Sequence, residues 1–552
     1  MVNNRRILLR LFGIGFCLAS IFNVVYYHQV HSKWDISATK AFQNAHFKTD
    51  YLADADASML DEKNNTVQSH RIAGLSCEKY GGPSDDIAKE LVYWEDIPSD
   101  AAYVSPFRDT GKYLTFEPDH GGWNNIRMAM ETTLVLAHAM GRTLVLPPEK
   151  HMYLLGHNQF SFNDFFHLES LHLEHQDFDI ITMEEFLKRE GITGNLVDET
   201  TKEALIPPNN QVQWDGKDLN PLFGYLRRAG HVPSNWDPLE CMAAIPATKD
   251  ESDIAKLREM HEEIKVLPPD SLKPDAFTGN YAESDGPAFE RLKENLGLRP
   301  NLCIYDKTMQ EKKLIHFQVD RKNHDRMLTH FYAFVFFQDW KQDLWTKRFI
   351  RDHVRYLDEV FCAAGRIIDA VRARARKHNP ANTDGIYDSF HVRRGDFQYK
   401  KTRLSAEELL QISQPHLQRG TSLFISTDER NKSFFEPLSK IYDVSFLSDY
   451  GDLIKGLPPN YYGMVDQVIA SKGRIFFGTW FSSFSGYINR MRGYYSVKDR
   501  LEGYKEGVTL SWYFYPDDRH EEMREYRSVR RPIYMREFPT SWRNIDKGID
   551  EI

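Results

Sequence analysis

The sequence predicts an α/β protein built on parallel sheets covered by helices, and three observations support this. From about Tyr113 onward, short apolar runs of strand length alternate with stretches of helical periodicity, the pattern of βαβ units. Three of these stretches carry glycine-, arginine- or serine-rich turns: GGWNNIR at 121–127, HVRRGDF at 391–397 and FFGTWFSSFS at 476–485. The chain has 552 residues, of which 41% are hydrophobic and 13% aromatic, too long for one ordinary core and sufficient for two packed units.

At the N-terminus, Arg5, Arg6 and Arg10 precede an apolar run from Leu11 to Tyr27 that includes Asn23. A bilayer span takes about 20 apolar residues, with a lower limit near 17. The flanking positive charge predicts a signal anchor with its N-terminus cytoplasmic and the remainder lumenal. Tyr26 and Tyr27 suit the interfacial belt. A cleaved signal peptide is the alternative, although no small-x-small site follows the run. Residues 1–28 are thus expected as tail and anchor, and 29–105 as a polar, acidic stem with little periodicity.

Asn64-Asn65-Thr66 and Asn431-Lys432-Ser433 are glycosylation sequons, usable only in a lumenal chain. Cys17 lies in the apolar run. Cys77, Cys241, Cys303 and Cys362 form two disulfides in an oxidising lumen, with three possible connectivities, or remain buried thiols. The formal net charge of −9 gives no global basic field for nucleic acid. The arginines between Arg519 and Arg543 are interleaved with acids, as on a solvated surface.

Leu144–Pro147 and Phe178–Thr182 read as strands, and Met128–Met140 between the first turn and Leu144 as an amphipathic helix. A helix starts over Met183–Lys188. The stretch from Thr200 to about Pro300 is rich in Pro, Asn and Asp, and reads as insertions shaping an acceptor cleft. Leu302–Tyr305 and Lys313–Phe317 are short strands, and Met327–Phe337 is core. Arg351–Arg376 reads as one long amphipathic helix. Strand 387–392, helix 405–413, strand 422–427, helix 431–439 and strand 474–478 then alternate.

The turns carry the chemistry. Two guanidiniums at a strand end, Arg393 and Arg394, form forks matched to phosphate oxygens. Gly395 permits a sharp or left-handed turn. Thr479, Ser482, Ser483 and Ser485 precede a helical pattern starting near Gly486, where hydroxyls and unpaired N–H groups make an anion site. Gly121 and Gly122 open a helix in the same manner. No GxGxxG or P-loop occurs, and neither CxxC nor HExxH is present. Asp177-Phe178-Asp179, Asp54-Ala55-Asp56 and the looser Asp449/Asp452 fit an acidic metal pair, a pattern common by chance in an acidic chain.

Together the three turns, with Leu423–Glu429 ending in Thr-Asp-Glu, resemble the GDP-fucose protein O-fucosyltransferase family, in the family's order and over roughly Phe116 to Arg492. The resemblance implies a GT-B-like fold: two Rossmann-like domains facing across a cleft, after the N-terminal membrane anchor. The domains fall at 106–330 on the acceptor side and 331–500 on the GDP-sugar side, with a C-terminal extension over 501–552. It implies inverting, metal-independent transfer of fucose from GDP-fucose to a Ser/Thr hydroxyl of a protein, with no cofactor. Golgi or endoplasmic reticulum membrane, single-pass with a lumenal catalytic part, is the implied location. A fucosyltransferase acting on glycans and a catalytically silent glycan- or nucleotide-sugar-binding relative are the alternatives.

The resemblance points to Arg394 as the diphosphate partner. Gly121, Gly122, Asn124, Asn125, His391, Arg393, Asp396, Asp428, Asp466, Thr479, Ser482, Ser483, Phe484 and Ser485 are implied in substrate binding. Some family members carry a Glu immediately before the glycine-aromatic-asparagine turn, where this chain has Gly121. Glu117, Asp119 and His120 are the nearest ionisable groups for the general base, with the departing phosphate acting through water as the other route.

Overall fold

Tyr113–Phe116 (β1) is buried at all four positions. An apolar run without alternation is what a parallel strand covered on both faces requires. The computed structural model describes residues 74–547 except 96, 153–154, 156–157, 169–170, 172–174, 176–177, 269–284, 298, 320–326, 515–519 and 524–535. The expected anchor lies outside the described residues, as does the sequon at Asn64. Among the described residues, no helix is long and apolar enough to cross a membrane.

From β1 the chain enters the helix Trp123–Ala139 (α1) and returns through Thr143–Leu146 (β2) and Ile180–Thr182 (β3). Leu314–Phe317 (β4) completes a four-stranded sheet of order β3-β2-β1-β4, parallel throughout. The 200–300 stretch supplies Cys241–Ile245, which pairs in parallel with Asn301–Ile304 on one side and Val335–Phe337 on the other, a separate three-stranded sheet. Its outer face packs on the helices Glu251–Lys265 and Ala288–Leu296 through Met242, Leu257, Leu292 and Phe336.

The second large sheet is built from Tyr387–Val392 (β5), Ser422–Thr427 (β6), Asp443–Ser445 (β7), the helix Tyr462–Ser471 (α2), Phe476–Thr479 (β8), the helix Ser483–Lys498 (α3) and Ser511–Phe514 (β9). Its order is β7-β6-β5-β8-β9, with all these pairs parallel. His520–Glu522 adds an antiparallel edge strand. Residues 501–552, read from sequence as an extension, thus supply strands to this sheet. The stem reading likewise stops short of 105: from Gly74 the chain is folded, with Leu91, Tyr93 and Trp94 buried. Tyr495 Oη donates to the Leu91 carbonyl at 2.8 Å.

One long helix over 351–376 is not formed. Trp340–His353 ends and Asp358–His378 begins, because the intervening backbone is used elsewhere. Tyr356 bridges to Phe166, and Leu357 N–H donates to the Phe165 carbonyl at 3.0 Å. Of the three possible cysteine pairings the fold adopts Cys77–Cys362 and Cys241–Cys303.

Four fully buried charges tie α1 to α3. Arg127 pairs with Glu131 one turn on, Arg490 donates to Glu131 at 2.8 Å, and Glu537 lies 2.9 Å from Arg490 and 3.6 Å from Arg127. Two cations and two anions balance, as buried charges require.

Candidate active site

In order of appearance the C-terminal strands sit 3-2-1-4-5, so the winding reverses between β5 and β8. At such a switch point the loops leaving the two carboxyl ends run apart and open a crevice. HVRRGDF leaves the end of β5 and TWFSSFS leaves the end of β8, so the two motifs meet there. Thr479 fastens the two strand ends: its hydroxyl donates to the His391 carbonyl and accepts from Arg393 N–H, both at 2.9 Å.

The arginine turn is organised by Asp428, at the end of β6. Its carboxylate accepts the backbone N–H of Arg394 at 2.7 Å and of Gly395 at 2.9 Å, and the Arg393 guanidinium at 2.6 Å. Asp396 holds the other fork of Arg393 at 2.5 Å. Of the sharp or left-handed turn that the sequence allows, Gly395 does not take the left-handed form. It is needed because a Cβ there would stand 2.5 Å from Asp428 Oδ2.

The two arginines diverge. Arg393 lines a cleft of about 960 Å³, and Arg394 does not. The Arg394 side chain donates to Glu429 at 3.1 Å and to the Leu404 carbonyl at 2.6 Å, and its guanidinium stacks 3.8 Å over the Phe434 ring. Arg394, the expected diphosphate partner, lies behind the loop and braces it, while Arg393 faces the cleft. His391 and Arg393 line the cleft together.

His391 stacks on Phe484 at 4.4 Å and hydrogen-bonds Ser485 Oγ through Nδ1 at 2.7 Å. Burial, and then the neighbouring Arg393 charge, push its imidazole down to about 3, so it is neutral at working pH. Ser485 and Thr479 are buried beneath the cleft lining. Ser482 occupies the N-cap of α3 without a side-chain cap bond, and it lines the cleft with Ser483 and Phe484. A sixteen-residue helix thus points its N-terminal N–H groups and positive dipole end toward the cleft.

Asp466, in α2, also lines the cleft. Its Oδ1 is enclosed and has no hydrogen-bond partner. Burial raises its carboxyl to about 8, against a smaller opposing effect of the Ser426 hydroxyl.

The opposite lip comes from the turn before α1. His120, Gly121, Gly122, Asn124 and Asn125 all line the cleft. Asn125 Oδ1 accepts from Ser483 Oγ at 2.7 Å. Asn124 Oδ1 accepts from Gln467 Nε2 at 3.0 Å, and the same Gln467 takes the Tyr356 hydroxyl at 2.7 Å. A Cβ at Gly121 would fall 2.6 Å from Asn125 Nδ2, which explains the glycine. Asn125 is therefore bonded directly to the serine segment of the other sheet unit, and Asn124 is joined to it through Gln467, which also donates to the Phe484 carbonyl at 3.2 Å.

Glu117 and Asp119 do not line this cleft, so their expected role as base is not supported. Asp119 accepts Gly121 N–H at 2.9 Å and shapes the turn. Glu117 is clasped by Arg227 with two bonds of 2.7 Å and by His316 at 3.1 Å. Burial alone would raise its carboxyl, but the His316 and Arg227 hydrogen bonds outweigh it and hold Glu117 below the usual carboxylate range. A carboxylate so held is a poor proton acceptor.

Sequence reasoning missed the aromatic rim. Phe397, Tyr399 and Phe481 line the cleft, with Tyr399 and Phe481 rings 4.9 Å apart. Phe481 has φ of 63°, a costly backbone for a bulky residue and a kind that clusters at ligand sites. It had no sequence signature. Of the acidic pairs weighed for a metal, Asp54 and Asp56 lie outside the described residues. Asp179 is paired with Arg108 at 2.9 Å, and Asp177 is outside the described residues. Asp449 takes Lys432 and the Phe446 N–H.

The family model for GDP-fucose protein O-fucosyltransferase matches residues 113–495. No curated protein matches the sequence. Among solved structures, the NodZ α1,6-fucosyltransferase co-crystallised with GDP aligns at 12% identity over 74% of this chain and 97% of that one, with a TM-score of 0.31. POFUT1 in complex with GDP-fucose aligns at 13% over 74% and 98%, also at 0.31. NodZ from Bradyrhizobium gives 13%, 74%, 98% and 0.31.

Proposed function

The chain belongs to the GDP-fucose protein O-fucosyltransferase family, matched from 113 to 495, and from that premise we propose that it moves fucose from GDP-fucose to a hydroxyl of a protein acceptor, with inversion and without a metal. The observation that carries this reading is the convergence of the glycine-asparagine, arginine and serine turns on one cleft at the switch point of the C-terminal sheet. The reading divides the chain into an acceptor-side GT-B domain at about 106–330 and a donor-side domain from about 331. It places the catalytic part in the secretory lumen behind the N-terminal anchor. Two disulfides suit that compartment.

Glycosyl transfer runs through an oxocarbenium-like state while negative charge grows on the departing β-phosphate. Arg393 answers that charge with a planar fork, held in place by Asp428 and Asp396. The N-terminus of α3, with Ser482 and Ser483, adds hydroxyls and oriented N–H groups. Neutral His391, fixed against Phe484 and Ser485, adds a hydrogen-bonding ring nitrogen without a second charge. The guanine goes to Asp466, whose enclosed oxygen lacks a partner; guanine offers adjacent N–H donors that a carboxylate accepts. On the facing lip His120 takes the proton of the attacking hydroxyl, in place of Glu117 and Asp119, which are engaged elsewhere.

A thermal-shift screen tests the donor part. GDP-fucose and GDP raise Tm, and UDP-sugars do not. Equal stabilisation by UDP-sugars would remove the guanine assignment.

A further inference from the structure

The sequon Asn431-Lys432-Ser433 has no part in the transfer chemistry, yet it stands at the edge of the cleft. Asn431 is exposed and N-caps a short helical turn, Lys432–Phe435. Its Oδ1 accepts from Ser433 N–H at 3.2 Å and from the Ser433 hydroxyl at 2.8 Å. Two donors on one atom fix which end of the amide is oxygen, so Nδ2 is the end turned away. Among the described residues Nδ2 has no hydrogen-bond partner. The neighbours on both sides, Arg430 and Lys432, line the cleft. Glu429 joins the backbone of Asn431, at 2.9 Å, to the Arg394 side chain, at 3.1 Å.

We infer that Asn431 is an N-glycosylation site, and that its glycan stands at the rim of the cleft. The donor is a polyprenyl-diphosphate-linked oligosaccharide. The bond from the sugar C1 to the diphosphate oxygen breaks and the lipid diphosphate leaves. A C1–N bond forms to Nδ2, and the amide gives up one proton. The two disulfides are independent support, since they form in the oxidising lumen where this chemistry occurs. The inference rests on the lumenal placement and not on the transferase activity.

The test is expression of the full chain in a eukaryotic secretory host, with peptide mass spectrometry before and after peptide-N-glycosidase treatment and protease protection of the same microsomes. The expected result is a protected chain carrying glycan on the Asn431 peptide, lost completely in both Asn431→Gln and Ser433→Ala. A protected, disulfide-bonded chain with Asn431 unmodified overturns the site while leaving the placement intact. An unprotected chain overturns both.

Discussion

Ser483 Oγ donates a 2.7 Å hydrogen bond to Asn125 Oδ1 across 358 residues of sequence. The contact joins the first turn of α1 to the first turn of α3, so the N-termini of two helices from two parallel sheets are held side by side. Gln467 repeats the connection one residue away, through Asn124 and the Phe484 carbonyl. The cleft is therefore assembled by contacts between the two sheets, and no single motif forms it alone.

Arg393→Ala is expected to lower kcat by about a hundredfold or more, the loss of about 3 kcal/mol of transition-state stabilisation typical of one charge-stabilising donor. Arg393→Lys recovers little, since a point charge does not replace the fork. Arg394→Ala acts on stability, costing about 1–2 kcal/mol for its lost hydrogen bonds, with a smaller effect on kcat. Steady-state kinetics and urea melts on the three variants check this. A larger kcat loss at 394 than at 393 would reverse the assignment.

Asp466 gives a pH signature. Its folded pKa, about 8, lies above the ordinary 3.8. The folded state therefore binds the extra proton, and this contribution to stability is full below about pH 4 and lost as pH rises toward 8. Asp466→Asn is expected to remove that loss and to be more stable than wild type at pH 8 by at least about 1 kcal/mol. Guanine favours the ionised carboxylate, so GDP affinity rises with pH up to about 8, by as much as about tenfold per unit, and is flat in the Asn variant. Titration calorimetry at several pH values reads both; a rising affinity in the Asn variant would exclude Asp466 as the source.

The C-terminal strands were legible because short strand-prone runs end in turns of charged residues, Arg393-Arg394-Gly395 and Asp428-Glu429. Tyr387–Val392 and Ser422–Thr427 stand where the sequence puts them. The direction of Arg394 was not legible from the motif alone: the turn abandons strand periodicity, and Glu429, Leu404 and Phe434, which hold the side chain, come from distant sequence. Gln467 was also missed. It is a polar residue in an apolar helix, a signal whose partners, Asn124 and Tyr356, only the fold brings within reach. Of the third sheet, the strand near 302–305 was legible, but Cys241–Ile245 was not, because it pairs with strands about 60 to 90 residues away, a non-local choice that no local pattern encodes.

His120→Gln is expected to reduce kcat by about a hundredfold or more, the usual contribution of a positioned base, while GDP affinity stays within about twofold. Parallel kinetics and calorimetry separate the two. Unchanged kcat would return the proton to the departing phosphate.

Glu537→Gln should destabilise the fold by about 3 kcal/mol or more, because it leaves buried Arg490 and Arg127 sharing Glu131 alone. Burial would raise the Glu537 carboxyl, but the Arg490, His330 and Arg127 charges hold it at about 2. A depressed carboxylate contributes its full stability above the ordinary 4.5, and the contribution fades as pH falls toward 2. Urea melts are expected to show the gap between variant and wild type at pH 7 and its narrowing below about 4.5. A gap independent of pH would point to packing and not charge.

The most direct measurement is transfer itself. Purified protein is incubated with GDP-fucose and EDTA, with either a folded cysteine-rich domain or a free N-glycan as acceptor, and the products are weighed by mass spectrometry. The account predicts one deoxyhexose added to a Ser or Thr of the protein domain, with stoichiometric GDP release that EDTA leaves undiminished. Fucose found only on the glycan, or transfer abolished by EDTA and restored by Mn²⁺, would contradict it.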